Sequence, residues 1–95
     1  MMKIRGIIWL DSVVEKIDRK HGVSREEVRQ VVQGDAMFRF VEKGHRRGEN
    51  LYAGLGRTEA GKYVIVFFIH KPDDRILIVT ARDMTGAERK RYEKK

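Results

Sequence analysis

The pattern of hydrophobic and polar positions changes its period along the chain, and two stretches have the period of a helix. Val13, Val14 and Ile17 would lie on one face of a helix, and Val28, Val31 and Val32 have the i, i+3, i+4 spacing of a second helix. Gly22 lies where a left-handed residue would end the first of these helices. Helix starts are indicated by a serine or threonine three residues before a glutamate, the capping-box form, at Ser12/Glu15, Ser24/Glu27 and Thr85/Glu88.

The other apolar stretches predict strands, over residues 3–10, 37–41, 51–57, 63–69 and 76–81. Residues 63–69 are apolar at every position, which is typical of a central strand covered on both faces, and residues 76–81 predict another buried strand. A charged helix follows at the C-terminus. The predicted order is β-α-α-β-β-β-β-α, an α+β fold on a mostly antiparallel sheet. At this length, residues 1–95 are expected to form a single domain.

The charge indicates a polyanionic partner. Lys and Arg number 21 against 14 Asp and Glu, a net charge of +7. Residues 36–58 and 84–95 each hold five basic and two acidic side chains, so the excess is concentrated there. The 37% of charged residues, beside few side-chain amides, is typical of a thermophilic source.

Several classes of protein are excluded by what the sequence lacks. The absence of cysteine excludes disulfides, a Cys-ligated zinc site and a thiol nucleophile. The three histidines have no zinc-ligand spacing, so we expect no metal and no cofactor. No apolar run approaches the roughly 18 residues of a membrane span, and the start lacks a secretory pattern. We therefore expect a cytoplasmic protein without a membrane partner.

Two arginines are candidates for binding phosphate. Arg57 ends the third strand and Arg82 ends the fifth, so pairing of sequential strands places them at one end of the sheet, with Lys62 beside them. Strands lie about 4.8 Å apart, which puts the arginines roughly 10 Å apart across the middle strand. Their side chains would then converge on one phosphate. The alternative is that these cations are ordinary surface charges at the strand ends, some of them paired with Glu59 or Asp83.

A second candidate group closes the first helix. Lys20 and His21 precede Gly22, where the helix dipole favours cations, and this structural role is the simpler interpretation. The functional interpretation is a pair for proton transfer. Gly54 and Gly56 do not form a phosphate-binding loop, because no helix follows them; they predict a bulge or a close backbone approach.

The chain resembles the BrnT family of type II toxins along almost its whole length. The resemblance is carried by Trp9-Leu10-Asp11, Lys20-His21-Gly22-Val23-Ser24 with Glu26-Glu27, Tyr52-Ala53-Gly54-Leu55-Gly56-Arg57-Thr58, Gly61, Ile78-Val79-Thr80-Ala81-Arg82 and Glu88-Arg89-Lys90-Arg91-Tyr92-Glu93. The sequence departs from the family at Asp18 and Arg19, where an asparagine is common, and at Thr80, where serine is usual.

This resemblance implies a RelE-like ribonuclease fold and a toxin that cuts RNA without a metal and inhibits translation. It also implies attack of a ribose 2′-hydroxyl on the adjacent phosphorus, a BrnA-type ribbon-helix-helix antitoxin, and oligomers only through that antitoxin. The family's motifs match at Lys20, His21, Arg57 and Arg82, which become the predicted catalytic residues. The predicted RNA-binding residues are Arg46, Arg47, Lys62, Arg75, Arg89 and Arg91. The alternatives are a non-catalytic nucleic-acid-binding module and a protein-interaction subunit with a basic surface.

Overall fold

The computed structural model describes residues 2–94 and contains a five-stranded sheet with three helices. The predicted order of elements, β-α-α-β-β-β-β-α, is confirmed. The elements are β1 (Gly6–Ile8), α1 (Asp11–His21), α2 (Arg25–Val32), β2 (Met37–Glu42), β3 (Leu51–Arg57), β4 (Tyr63–His70), β5 (Arg75–Asp83) and α3 (Gly86–Glu93). Within the described residues, no helix has the length and apolar character needed to cross a membrane.

The strands lie in the order β1-β5-β4-β3-β2, so the predicted adjacency of the third, fourth and fifth strands is confirmed. β1 runs parallel to β5, and every other pair is antiparallel. Short turns between β3, β4 and β5 enforce this arrangement, because hairpins place consecutive strands side by side. In the register of the sheet, Arg57 lies opposite Tyr63 and Arg82 lies opposite Ile65.

Helices α1 and α2 cover one face of the sheet, called here the α1/α2 face. Its core joins Ile17 of α1 and Val31 of α2 to Val64, Val66 and Phe68 of β4, all nearly or fully buried. The opposite face, called here the α3 face, is covered only at one end. There Leu55 and Ile65 are buried against Met84 and Tyr92.

Two of the three predicted capping boxes are confirmed. The hydroxyls of Ser24 and Thr85 accept from the backbone three residues on, and each glutamate side chain accepts in return. The box at Ser12 is wrong, because α1 begins at Asp11, which puts Ser12 inside the helix, and the N-cap residue Leu10 makes no side-chain bond. The predicted end at Gly22 is confirmed by its left-handed φ of 64°.

The strand predictions need two corrections. The first strand covers three residues rather than residues 3–10. The fifth strand, β5, is buried on the α1/α2 face only. Its residue Val79 is 38% exposed, since α3 shields just one end of the other face. The prediction of a central fourth strand is confirmed by its pairing on both sides.

Gly54 and Gly56 are explained by close packing. A Cβ at Gly54 would lie 3.2 Å from the Phe38 ring, and one at Gly56 would lie 3.2 Å from Val31 Cγ1. Because β3 pairs with β4 in unbroken register, the bulge alternative is wrong.

Candidate functional site

Arg57 and Arg82 lie on the α3 face, at the same end of the sheet. Residues directly opposite one another in antiparallel strands share a face. Arg57 therefore shares a face with Tyr63, and Arg82 shares one with Ile65, which is buried on the α3 face. The predicted placement of the two arginines at one end of the sheet is confirmed.

The guanidinium of Arg82 is occupied by a carboxylate of α3. Its Nη1 and Nη2 donate to the two oxygens of Glu88 at 2.8 and 3.0 Å, and Nη1 also donates to the carbonyl of Asp83 at 3.1 Å. Hydrogen bonds from Arg82 hold the pKa of Glu88 below its usual value, and Glu88 in turn raises the pKa of Arg82. A carboxylate thus fills the fork for which a phosphate was predicted.

Arg57 and Arg89 lie around one aromatic ring. Their guanidinium carbons are 4.8 and 4.0 Å from the centroid of Tyr63. The Tyr63 hydroxyl donates to Glu93 at 3.2 Å, and its ring meets the edge of Tyr92. Tyr63 therefore holds α3 onto the sheet and gathers two cations beside it.

Arg39 belongs to this site, although the sequence analysis did not select it. It lies opposite Ala53, on the α3 face, and lines a cavity of about 120 Å³ with Ala87, Glu88 and Arg91. The strand alternation that puts Phe38 and Phe40 on the α1/α2 face puts Arg39 on the opposite face. That alternation was the signal that could have identified it.

Lys62 joins the two faces at this end of the sheet. Its Nζ donates to the carbonyl of Gly22 at 2.6 Å and lies 3.7 Å from carboxylate oxygens of Glu27 and Asp83. The side chain is 31% exposed. Its charge is therefore largely balanced by groups of the protein itself.

Lys20 and His21 lie in the last turn of α1, which packs on the α1/α2 face. Lys20 is exposed and His21 is half-buried. They adjoin the same end of the sheet, because Lys62 reaches from Gly22 to Asp83. The structure does not bring Lys20 and His21 onto the face that carries Arg57 and Arg82.

The remaining predicted cations are spread apart. Arg46 and Arg47 are exposed in the connection between β2 and β3. Arg75 begins β5, at the end opposite to Arg82, and its Nε donates to Asp73 at 2.7 Å. Hydrogen bonds from the Arg75 backbone and side chain lower the pKa of Asp73. Arg75 is thus separated from the arginines of the α3 face.

No cluster of three or more His, Asp or Glu side chains suited to hold a metal ion occurs within residues 2–94.

Fold and site together define a small basic α+β domain with arginines gathered on one sheet face beneath a C-terminal helix. Its family is shown by the model described as "Ribonuclease toxin, BrnT, of type II toxin-antitoxin system", which matches residues 11–88. The chain belongs to the BrnT family, and is a ribonuclease toxin with RNA as substrate and an antitoxin as partner. The match contains Arg39, Arg82 and Glu88 and ends inside α3. No individual curated protein matches the chain.

Proposed function

We propose that this toxin cuts RNA on the α3 face without a metal ion, and that the cuts stop translation. The 2′-oxygen of a ribose bonds to the adjacent phosphorus and the bond from phosphorus to the 5′-oxygen breaks. The 2′-proton leaves to a base, and the departing 5′-oxygen gains a proton. The products are a 2′,3′-cyclic phosphate and a 5′-hydroxyl.

The observation that carries this proposal is the pairing of Arg82 with Glu88. A carboxylate presents two oxygens to a guanidinium in the same planar fork that a phosphate uses. The Arg82 side chain is 34% exposed, so solvent reaches this pair. RNA would replace Glu88 there, and Arg82 would then hold two phosphoryl oxygens as negative charge builds in the transition state. Loss of one such preorganised donor typically costs about 10²–10³ in rate.

Other arginines of the same face extend the proposed site along the RNA. Arg57 and Arg89 both lie against the Tyr63 ring, which holds these two cations close together on this face. Arg39 and Arg91 line the cavity on the other side of Glu88. We propose that these four bind neighbouring phosphates, with Arg46 and Arg47 adding contacts from the exposed connection.

Proton transfer is assigned to Lys20 or His21 as a proposal. Because they adjoin the end of the sheet without sharing the face of Arg82, the RNA would have to pass around that end. Lys62 lies along this route, between Gly22 and Asp83, and would contact the RNA where it passes around the end of the sheet. Arg75, at the opposite end of β5, is kept as a binding residue only for a long RNA.

Further parts of the proposal concern the organisation of the system. We propose that residues 1–95 form one toxin domain, that the antitoxin is of the BrnA ribbon-helix-helix type, and that oligomers form through it. A toxin that stops translation would act in the cytoplasm, where ribosomes and messenger RNA are found.

The test is single-turnover cleavage of a short RNA in excess EDTA. Activity should persist, the product should end in a cyclic phosphate, and a 2′-deoxy nucleotide at the cut position should prevent the cut. Cleavage that disappears in EDTA and returns with Mg²⁺ would contradict the proposed mechanism. Salt-dependent binding without any cut would favour the non-catalytic nucleic-acid-binding alternative.

A further inference from the structure

Strand β2 is a free edge of the sheet. It pairs with β3 on one side, and among residues 2–94 no strand lies on its other side. Half of its backbone N–H and C=O groups therefore point outward, available to another chain. The opposite edge strand, β1, has only three residues against six in β2.

The same edge exposes large apolar side chains. Phe40 is 52% exposed and Val41 is 37% exposed, and the register of β2 with β3 shifts beside them. The Phe40 ring meets the edge of Tyr52, whose ring stacks on the buried Phe68. A groove of about 550 Å³ runs along this aromatic row, and Phe38 and Lys3 also line it. Proteins usually shield a long apolar edge, so a partner surface is indicated.

One residue connects this edge to the proposed RNA site. Arg39 stands in β2 between Phe38 and Phe40 and lines the cavity with Glu88 and Arg91 on the α3 face. A partner strand beside β2 would therefore border the arginines that bind RNA.

We propose that the antitoxin docks here, adding an extended segment as a strand along β2. Alternate side chains of that segment would fill the groove at Phe38, Phe40 and Tyr52, and acidic side chains would face Arg39. The family supplies an antitoxin as partner, and the net charge of +7 favours an acidic one. A second copy of this chain would be repelled by its own charge, and RNA has no backbone amides to pair with a strand edge.

Inhibition of the toxin by this docking rests on the proposed function, since the added strand would have to obstruct RNA at Arg39. The docking of the antitoxin does not depend on the proposed function. The first experiment is therefore structural: amide hydrogen exchange of the toxin alone, of the toxin with the antitoxin encoded beside it, and of the toxin with a 2′-deoxy-blocked RNA.

The backbone amides of residues 37–42 should exchange at least tenfold more slowly in the antitoxin complex, and their exchange rates should be unchanged by RNA. Protection at β1 instead of β2, or no change at β2, would overturn the proposal. If only RNA slows amide exchange in β2, this edge binds RNA and not the antitoxin. If exchange in β2 slows as the toxin concentration rises, the edge binds a second copy of the chain.

The second experiment uses Phe40→Asp with Leu10→Asp as its control, because Leu10 is an apolar residue of similar exposure (47%, against 52% for Phe40) that precedes α1. Phe40→Asp should weaken antitoxin binding at least tenfold while the free toxin cuts RNA at the parental rate. Leu10→Asp should change neither. If Phe40→Asp does not fold, Phe40→Ser replaces it. Parental antitoxin affinity in the folded variant refutes the docking, whereas a wild-type toxin that cuts no RNA refutes only the proposed function.

Discussion

Replacing Glu88 by glutamine tests whether Arg82 binds phosphate or only fastens α3. Glutamine keeps an oxygen for the Thr85 N–H, so the capping box of α3 can persist. What is lost is the charge opposite Arg82 and one of the two oxygens in its fork. Glu88→Gln therefore leaves the helix start intact while it weakens the hold on the Arg82 guanidinium, because the remaining oxygen can accept from only one arm of the fork.

The size of the effect follows from the exposure of the pair. Charge-assisted hydrogen bonds contribute about 1.5–3 kcal/mol when protected, and exposed ion pairs about 0–1 kcal/mol. Arg82 is 34% and Glu88 18% exposed, so an intermediate value of about 1–2 kcal/mol is appropriate. Since about 1.4 kcal/mol is tenfold in a binding constant, removing this competitor should tighten RNA binding by about 5–30-fold.

The same pair helps to hold α3, whose residues include none that is buried. Glu88→Gln should therefore also lower Tm, by at most about 4–8 °C for each kcal/mol lost. A purely structural pair predicts this fall in Tm as well. The two hypotheses differ in RNA affinity. If the pair only holds α3 on the sheet, its loss creates no new contact for RNA, and the affinity should not rise.

Anisotropy of a labelled 2′-deoxy-blocked RNA measures affinity, and single-turnover cleavage at saturating toxin measures the chemical step. Glu26→Gln is the matched control, since it removes a negative charge from a similar two-oxygen pair with an arginine, Arg29, that has no part in the proposed RNA site. Arg82→Lys should keep most of the affinity and lose about 10²–10³ in rate, because lysine offers one point contact instead of a fork. The reasoning is refuted if Glu88→Gln binds RNA no more tightly than Glu26→Gln does and Arg82→Lys cuts at the parental rate.

Three further predictions use the charges of the site. Arg46→Ala and Arg47→Ala should weaken RNA binding and reduce the slope of log affinity against log salt by about 0.7 per phosphate contact, with the bound-state rate unchanged; an unaltered slope would remove the exposed connection from the interface. The pKa of Glu88 is lowered in the folded protein, so its contribution to the free energy of unfolding is present above the ordinary carboxyl pKa and is lost as pH falls through the lowered value; acid melts should show a weaker pH dependence in Glu88→Gln than in the parent. His21→Gln should slow single-turnover cleavage with little change in affinity, whereas a fall in Tm alone would leave His21 with the helix-end role.

Local sequence determined much of the fold. The capping boxes at Ser24 and Thr85 were visible because the groups that pair lie three residues apart. The short turns before β4 and β5 forced three strands into neighbouring positions, and this placed Arg57 and Arg82 at one end of the sheet. Such inferences hold because each depends on contacts between residues that are close in the chain.

Tertiary structure decided which groups meet. Glu88 can be read from the sequence as a capping residue, but its pairing with Arg82 depends on the angle at which α3 returns to the sheet. For a related reason, Arg39 lies on the same sheet face as Arg82, whereas Lys20 and His21 do not. Strand alternation says that two side chains point to opposite faces, but which face each helix covers is settled only when the apolar surfaces of helices and sheet are buried together.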